Sequence, residues 1–229
     1  MIFTRSSGPV LSLFILLFIP HFIWCKEEPL PQVKQIKAGL FTFGDLEIDK
    51  NKSIIRMPAV CNQVNGLVEY GIVHVNGKTH ESLFRTNVRP QVLHTSLLLI
   101  KGKQVKGFFE NLWSENPKQV DYSDFGIKVE ISWELNSTKF NVDLGEMSLN
   151  QSNGKTISKN SFIFTGSKMI EGTYMGDVSG SILAVYADEE AILNNTDYGS
   201  DNDDLWIANG KKMPPLEHEV MISFLLPKS

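Results

Sequence analysis

The stretch Gly66–Thr86, GLVEYGIVHVNGKTHESLFRT, decides the fold class. Val68–Val75 is rich in β-branched and aromatic residues, which suit a pleated, half-buried strand. Lys78–Thr86 resumes the pattern after Asn76-Gly77. Asn-Gly between two such runs is the signal of a type I′ hairpin, because both turn residues there need positive φ. The reading predicts an antiparallel pair, with Val75 opposite Lys78 and Val73 opposite His80.

Working outward, Leu40–Asp49 and Ser53–Val60 read as strands around a polar break at Lys50-Asn51-Lys52. On the other side, Arg89-Pro90 opens a helix over about residues 90–101, with proline in the first turn, where its missing N–H costs nothing. Leu93, Leu97 and Ile100 fall at i, i+4 and i+7, Leu98 and Leu99 broaden the stripe, and Gly102 is placed to end it. So wide a stripe predicts a well-buried helix. Lys103–Phe125 is irregular, with Phe108, Phe109 and Trp113 as anchors. Ile127, Val129, Ile131 and Trp133 then alternate, and Phe140, Val142 and Leu144 repeat the pattern. Ser161–Thr165, Gly172–Val178 and Ser181–Ala187 read as short strands, Asp188–Leu193 as a helical turn, Asn194–Asp204 as an acidic loop, and Val220–Leu226 as a last strand. Many short strands with one substantial helix make an α+β domain, predominantly of antiparallel sheet. No repeat or linker divides residues 40–229, so they read as a single domain.

The N-terminus sets a compartment. Arg5 and no acid precede an apolar run from Val10 to Trp24, the order of a signal sequence. Pro20 and His21 interrupt the run, and a spanning helix wants about 20 continuous apolar residues, so no transmembrane helix is expected in the mature chain. Cleavage after Cys25 makes residues 1–25 a signal sequence and residues 26–39 an N-terminal tether. A lipoprotein with a lipid anchor on Cys25 is the competing reading, although Phe22-Ile23-Trp24 departs from the small residues that usually precede such a cysteine. Either way the chain is exported, periplasmic or extracellular.

Composition narrows the partners. An apolar fraction of 42% argues for a globular domain. A net charge of −4 with scattered signs argues against nucleic acid. Of the two cysteines, export removes or modifies Cys25. Cys61 then stands alone in a strand-like run and reads as a small buried hydrophobe. Two cysteines cannot hold an iron–sulfur cluster or a Cys₄ zinc site.

At Gly77–Leu83, GKTHESL, the chain resembles the YdjY-type domain family of exported bacterial proteins, a family without an assigned activity. Met57–Pro90 is similar to the family's opening hairpin and strand, LHTSLLLIKG (Leu93–Gly102) to its helix, and FIFTGSKMIEGTYMGDVSGSILAVYAD (Phe162–Asp188), NDDLWIAN (Asn202–Asn209) and Pro214-Pro215 to its C-terminal part. Lys103–Ser161 carries no such likeness, and Cys61 departs from the apolar or β-branched residue expected there. Some relatives are described as ferredoxin-like, which Cys61 alone cannot support. The resemblance implies fold and compartment and leaves the activity open.

Among residues able to carry chemistry, His80 and Glu81 follow the expected turn and His94 sits on the helix; imidazole and carboxylate serve metal sites and acid–base catalysis alike. Neighbours on a strand point to opposite faces, so in the hairpin His80 and Glu81 do not share one ion. His80 with His94 is one pairing and Glu81 with His74 another. The competing reading is a core histidine bonded to backbone groups, with Glu81 bracing a loop. Two histidines without a third ligand at fixed spacing leave zinc open rather than assigned. Asp197, Asp201, Asp203 and Asp204, with Asn195 and Asn202, offer calcium its oxygens, but not at EF-hand spacing; such Asx-rich segments also form ordinary turns. No serine lies in G-x-S-x-G, and Asn51, Asn136, Asn150 and Asn194 head glycosylation triplets that carry little weight in a bacterial protein. Two expectations follow. The first is a non-enzymatic envelope module that binds another protein or a surface polymer. The alternative is a metal-binding protein or enzyme using His80, His94 and Glu81, so whether the chain is an enzyme stays open.

Overall fold

A computed structural model of the chain describes residues 29–227. The signal-sequence reading, and Cys25 with it, lies outside the described residues. β1 (Val33–Lys37), β2 (Leu40–Phe43), β3 (Leu46–Asp49) and β4 (Ile54–Cys61) form an antiparallel meander. The second half of the expected tether is thus an edge strand, exposed along its whole length. β5 (Tyr70–His74) and β6 (Ser82–Thr86) follow, then α1 (Pro90–Leu99) and the short α2 (Phe108–Leu112). β7 (Lys128–Leu135) and β8 (Thr138–Asp143) make a hairpin. The C-terminal third supplies β9 (Ser148–Asn150), β10 (Phe162–Phe164), β11 (Met169–Ile170), β12 (Thr173–Tyr174), α3 (Met175–Ser179), β13 (Ser181–Ala184), β14 (Leu193–Asn195), β15 (Trp206–Ala208) and β16 (Glu219–Leu225).

The main sheet runs β1-β2-β3-β4-β6-β5-β13-β14-β10, with β16 on the other side of β4 carrying β7 and then β8. β11–β12 and β9–β15 are separate two-stranded pairs. The architecture is β-rich, mostly antiparallel and open, with few helices. Alternation explains the long strands. Ile55, Met57, Ala59 and Cys61 of β4, Val129 and Ile131 of β7, and Val220, Ile222 and Phe224 of β16 all point into one core. Leu93 and Leu97 of α1 join them there, as the sequence predicts.

The expected hairpin is corrected. β5 and β6 are parallel neighbours, with Tyr70 opposite Ser82, Ile72 opposite Phe84 and His74 opposite Thr86. Gly77 is outside the left-handed region, and the chain returns through a 3₁₀ turn at Thr79–Glu81. What glycine provides at position 77 is room. An added Cβ would stand 2.9 Å from the Ser179 carbonyl oxygen and 3.2 Å from Gly180 Cα. The connection is far shorter than the dozen residues usual between parallel strands. It is pinned across its span: Lys78 Nζ donates to the Tyr70 hydroxyl at 2.7 Å, and Gly77 N to the His74 carbonyl at 2.8 Å. Two consecutive positive φ values occur instead at Asn136-Ser137, at +50° and +62°, between β7 and β8, and at Glu171-Gly172, at +49° and +82°, between β11 and β12.

Three further expectations change. Met175–Val178, read as the second part of a strand, belongs to the helix α3. It is held by Asp177, which accepts from Arg89 Nε at 2.9 Å and from the Gln91 amide at 2.8 Å, and so caps the start of α1. Leu193–Asn195, divided between a helical turn and an acidic loop, is the buried strand β14, parallel to β13. α1 buries Val92, Leu93, Ser96 and Leu97 but leaves Leu98 and Leu99 about half exposed, so its apolar stripe is narrower than the sequence suggests.

Candidate functional site

Parallel pairing brings the entrances of β5 and β6 to one end of the sheet. Glu69, just before β5, donates its amide to the Glu81 carbonyl at 3.0 Å, which brings the two carboxyl groups near enough to perturb one another. Burial first, and the adjoining Glu81 carboxylate second, raise the Glu69 pKa, against the opposing pull of Lys78. The 3₁₀ turn, unlike a strand, lets neighbours meet: His80 Nε2 lies 3.4 Å from Glu81 Oε1, and the imidazole is largely exposed. This corrects the strand expectation, since the two side chains do meet.

His80 and Glu81 line an open groove of about 630 Å³ with Thr79, Asn62, Gln63, Leu67 and Leu216. Its floor is tied down. The Asn62 amide nitrogen donates to the Ser82 carbonyl at 2.8 Å and to Thr79, its oxygen accepts from Arg85 at 3.1 Å, and Gln63 donates to the Asn65 and Leu67 carbonyls. Leu67 and Leu216 stand exposed on its rim. Fixed amides below, the Glu81 carboxylate and the His80 imidazole at one wall, and apolar shoulders above suit an extended ligand carrying N–H or O–H donors.

His94 lies elsewhere. It follows β6 on α1, whereas His80 precedes β6, so the strand separates them; among the described residues they share no contact and no cavity. His94 Nδ1 pairs with the Tyr174 hydroxyl at 2.7 Å, and its ring meets Phe164 and Tyr174 edge-on. Burial lowers the His94 pKa and raises that of Tyr174, so both are neutral near pH 7. His74, offered as a partner for Glu81, instead accepts the Asn76 amide on Nδ1 at 3.2 Å.

The acidic segment forms turns. Asp197 accepts from the Ser158 and Tyr198 amides at 2.7 and 2.8 Å, while Asn195 and Asn202 accept from Asp197 N and Asp204 N. Asp201, Asp203 and Asp204 are exposed. Among the described residues no three His, Cys, Asp or Glu side chains converge in a way that could hold a metal ion. Cys61 is buried, with Sγ 3.4 Å from the Pro214 carbonyl oxygen, and burial pushes its thiol up to about 11.

Sequence reasoning missed Glu69 altogether, because a hairpin register puts it far from Glu81. It also missed the chain from Lys78 through the Tyr70 hydroxyl to Asp188, where the last bond is 3.0 Å.

Comparison with curated proteins and with solved structures finds no match. The family model described as the YdjY domain matches residues 46–225, from the first residue of β3 to the last of β16. The residues that line the groove, and α1 with His94, fall inside that span. By a match over most of its length, the chain belongs to the YdjY domain family.

Proposed function

We propose that this chain is an exported bacterial envelope protein, periplasmic or extracellular, that works as a binding module for another envelope protein or a surface polymer. The observation that carries the reading is the groove at the entrances of β5 and β6. It is open, its floor is fixed by internal hydrogen bonds, and its free groups are acceptors and apolar shoulders. Ligand sites for extended polymers use such pre-formed surfaces, since a rigid floor spares the ordering entropy of binding. The export half rests on the Val10–Trp24 run and on membership of the family.

The test has two arms. Cell fractionation should recover the chain outside the cytoplasm, and mass spectrometry should find a mature start at Lys26; a diacylglycerol adduct on Cys25 would replace cleavage by lipidation, and a cytoplasmic pool with intact Met1 would sink the export reading. For binding, purified cell-wall sacculi and the isolated envelope protein fraction serve as probes against the wild type, Leu216→Asp and His80→Ala. Binding to either probe should fall at least about tenfold in Leu216→Asp, since a charge then sits on the apolar shoulder. Undiminished binding by both variants would remove the groove from the argument.

A further inference from the structure

The C-terminal end of α1 presents a second surface, remote in chemistry from the groove. Leu98 and Leu99 are 51% and 47% exposed, and Val33 of β1 is 47% exposed. Val33 and Leu99 close a small apolar cleft of about 110 Å³ with Phe41, Ile48 and Ile100, and Lys50 stands at its mouth. Lys50 and Ile100 also line the adjoining cavity of about 230 Å³, together with Lys101, Lys103 and Ser53. The apolar cleft and the basic cavity are therefore one continuous face.

Three lysines meet there in a chain whose net charge is −4. Among the described residues none of the three has an ion pair, whereas Lys52, Lys128, Lys168 and Lys212 do. Lys101 and Lys103 complement the negative end of the α1 dipole. That account does not extend to Lys50, which comes from the turn between β3 and β4. No acidic residue lines either cavity.

We infer that this face docks on a bilayer of anionic phospholipid, with Val33, Leu98 and Leu99 at the headgroup boundary and Lys50, Lys101 and Lys103 on the lipid phosphates. Apolar residues beside lysines are the usual chemistry of a membrane-surface contact.

Sedimentation of the mature chain, from Lys26 onward, with phosphatidylglycerol vesicles, and separately with phosphatidylcholine vesicles, tests the inference. The variants are Lys50→Glu/Lys101→Glu/Lys103→Glu, Leu99→Asp, and a control with the same net charge, Lys118→Glu/Lys139→Glu/Lys211→Glu, each checked for an unchanged melting transition. Binding to phosphatidylglycerol should weaken with salt and drop about 100-fold in the first triple variant. It should fall in Leu99→Asp and hold in the control. Equal losses in both triple variants would reduce the effect to net charge and overturn the face. Equal, salt-insensitive binding of the wild type to both vesicles would do the same. If inorganic phosphate alone raises the melting temperature of the wild type but not of the first triple variant, the cavity takes a free anion and the bilayer is the wrong source.

Discussion

Replacing Gly77 separates the parallel crossover from the hairpin that the sequence suggests. In a type I′ turn position 77 needs positive φ, and asparagine is the best-tolerated replacement for glycine there. In the structure the constraint is space. A Cβ at Gly77 would lie 2.9 Å from Ser179 O, 3.1 Å from His74 O and 3.2 Å from Gly180 Cα. All three are backbone atoms, so no side-chain rotation relieves the contact. Gly77→Ala must push the crossover away from the start of β13, where His74 N donates to Gly180 O at 2.8 Å. Overpacking of this kind costs about 1–3 kcal/mol, and the strained hydrogen bond adds up to about 1 kcal/mol. Reduced freedom of the unfolded chain returns about 0.4–1 kcal/mol. The net expectation is a loss of about 1–2 kcal/mol for Gly77→Ala, and at least as much for the bulkier Gly77→Asn. Urea denaturation reads both from the midpoint, provided the slope is unchanged. Asparagine tolerated better than alanine would show that φ, not space, selects glycine, and the parallel register would have to be abandoned.

Three other outcomes follow from the side chains. Cys61, with its thiol pushed up to about 11, should label slowly with a thiol reagent at pH 8, where only about one thiol in a thousand is ionised; labelling should become fast in denaturant. Asp177→Ala removes the ion-pair partner among the contacts of Arg89 and the cap of the Gln91 amide, both largely buried, and should cost about 2–3 kcal/mol in urea denaturation, with Asp177→Asn intermediate. His94 has its folded pKa lowered by burial, so the unfolded chain binds the extra proton. The associated stability is full above the unfolded value, about 6.5, and is lost as pH falls below it toward the folded pKa. Melting temperatures measured between pH 7.5 and 5 should therefore fall less steeply in His94→Gln than in the wild type.

Elements whose reading rests on side-chain period were legible. Ile127–Trp133 and Val220–Leu226 alternate because one face is buried, and β7 and β16 lie where that alternation predicts. Pro90 opens α1 as proline at a first-turn position should. Elements whose reading rests on a turn were less secure. Asn76-Gly77 satisfies the hairpin pattern, yet glycine has two uses, positive φ and close backbone approach, and composition cannot separate them. Here the second use wins because Gly180, remote in sequence, needs the space. Met175–Val178 escaped for a similar reason: Gly180, read as a turn between strands, is the left-handed cap of α3, which Asp177 also ties to Arg89 and Gln91.

The errors of register and of site have one origin. In a hairpin His80 faces Val73, and α1 can cover the pair, which is what made His80 with His94 an attractive site. Parallel pairing reverses the direction of β6 relative to β5, so residues before β6 move to the end where β5 begins. That one change takes His80 away from α1 and sets Glu81 beside Glu69. It also turns Thr79–Glu81 into a wall of the groove. The candidate site is thus a consequence of topology, and Glu81 on its wall comes beside Glu69, twelve positions earlier in sequence, only if the crossover holds. The Lys78–Tyr70 bond and the Gly77–Gly180 approach are therefore the supports on which the proposed binding surface depends. A substitution at Gly77 that loosens the crossover should weaken binding in the groove even though Gly77 does not line it.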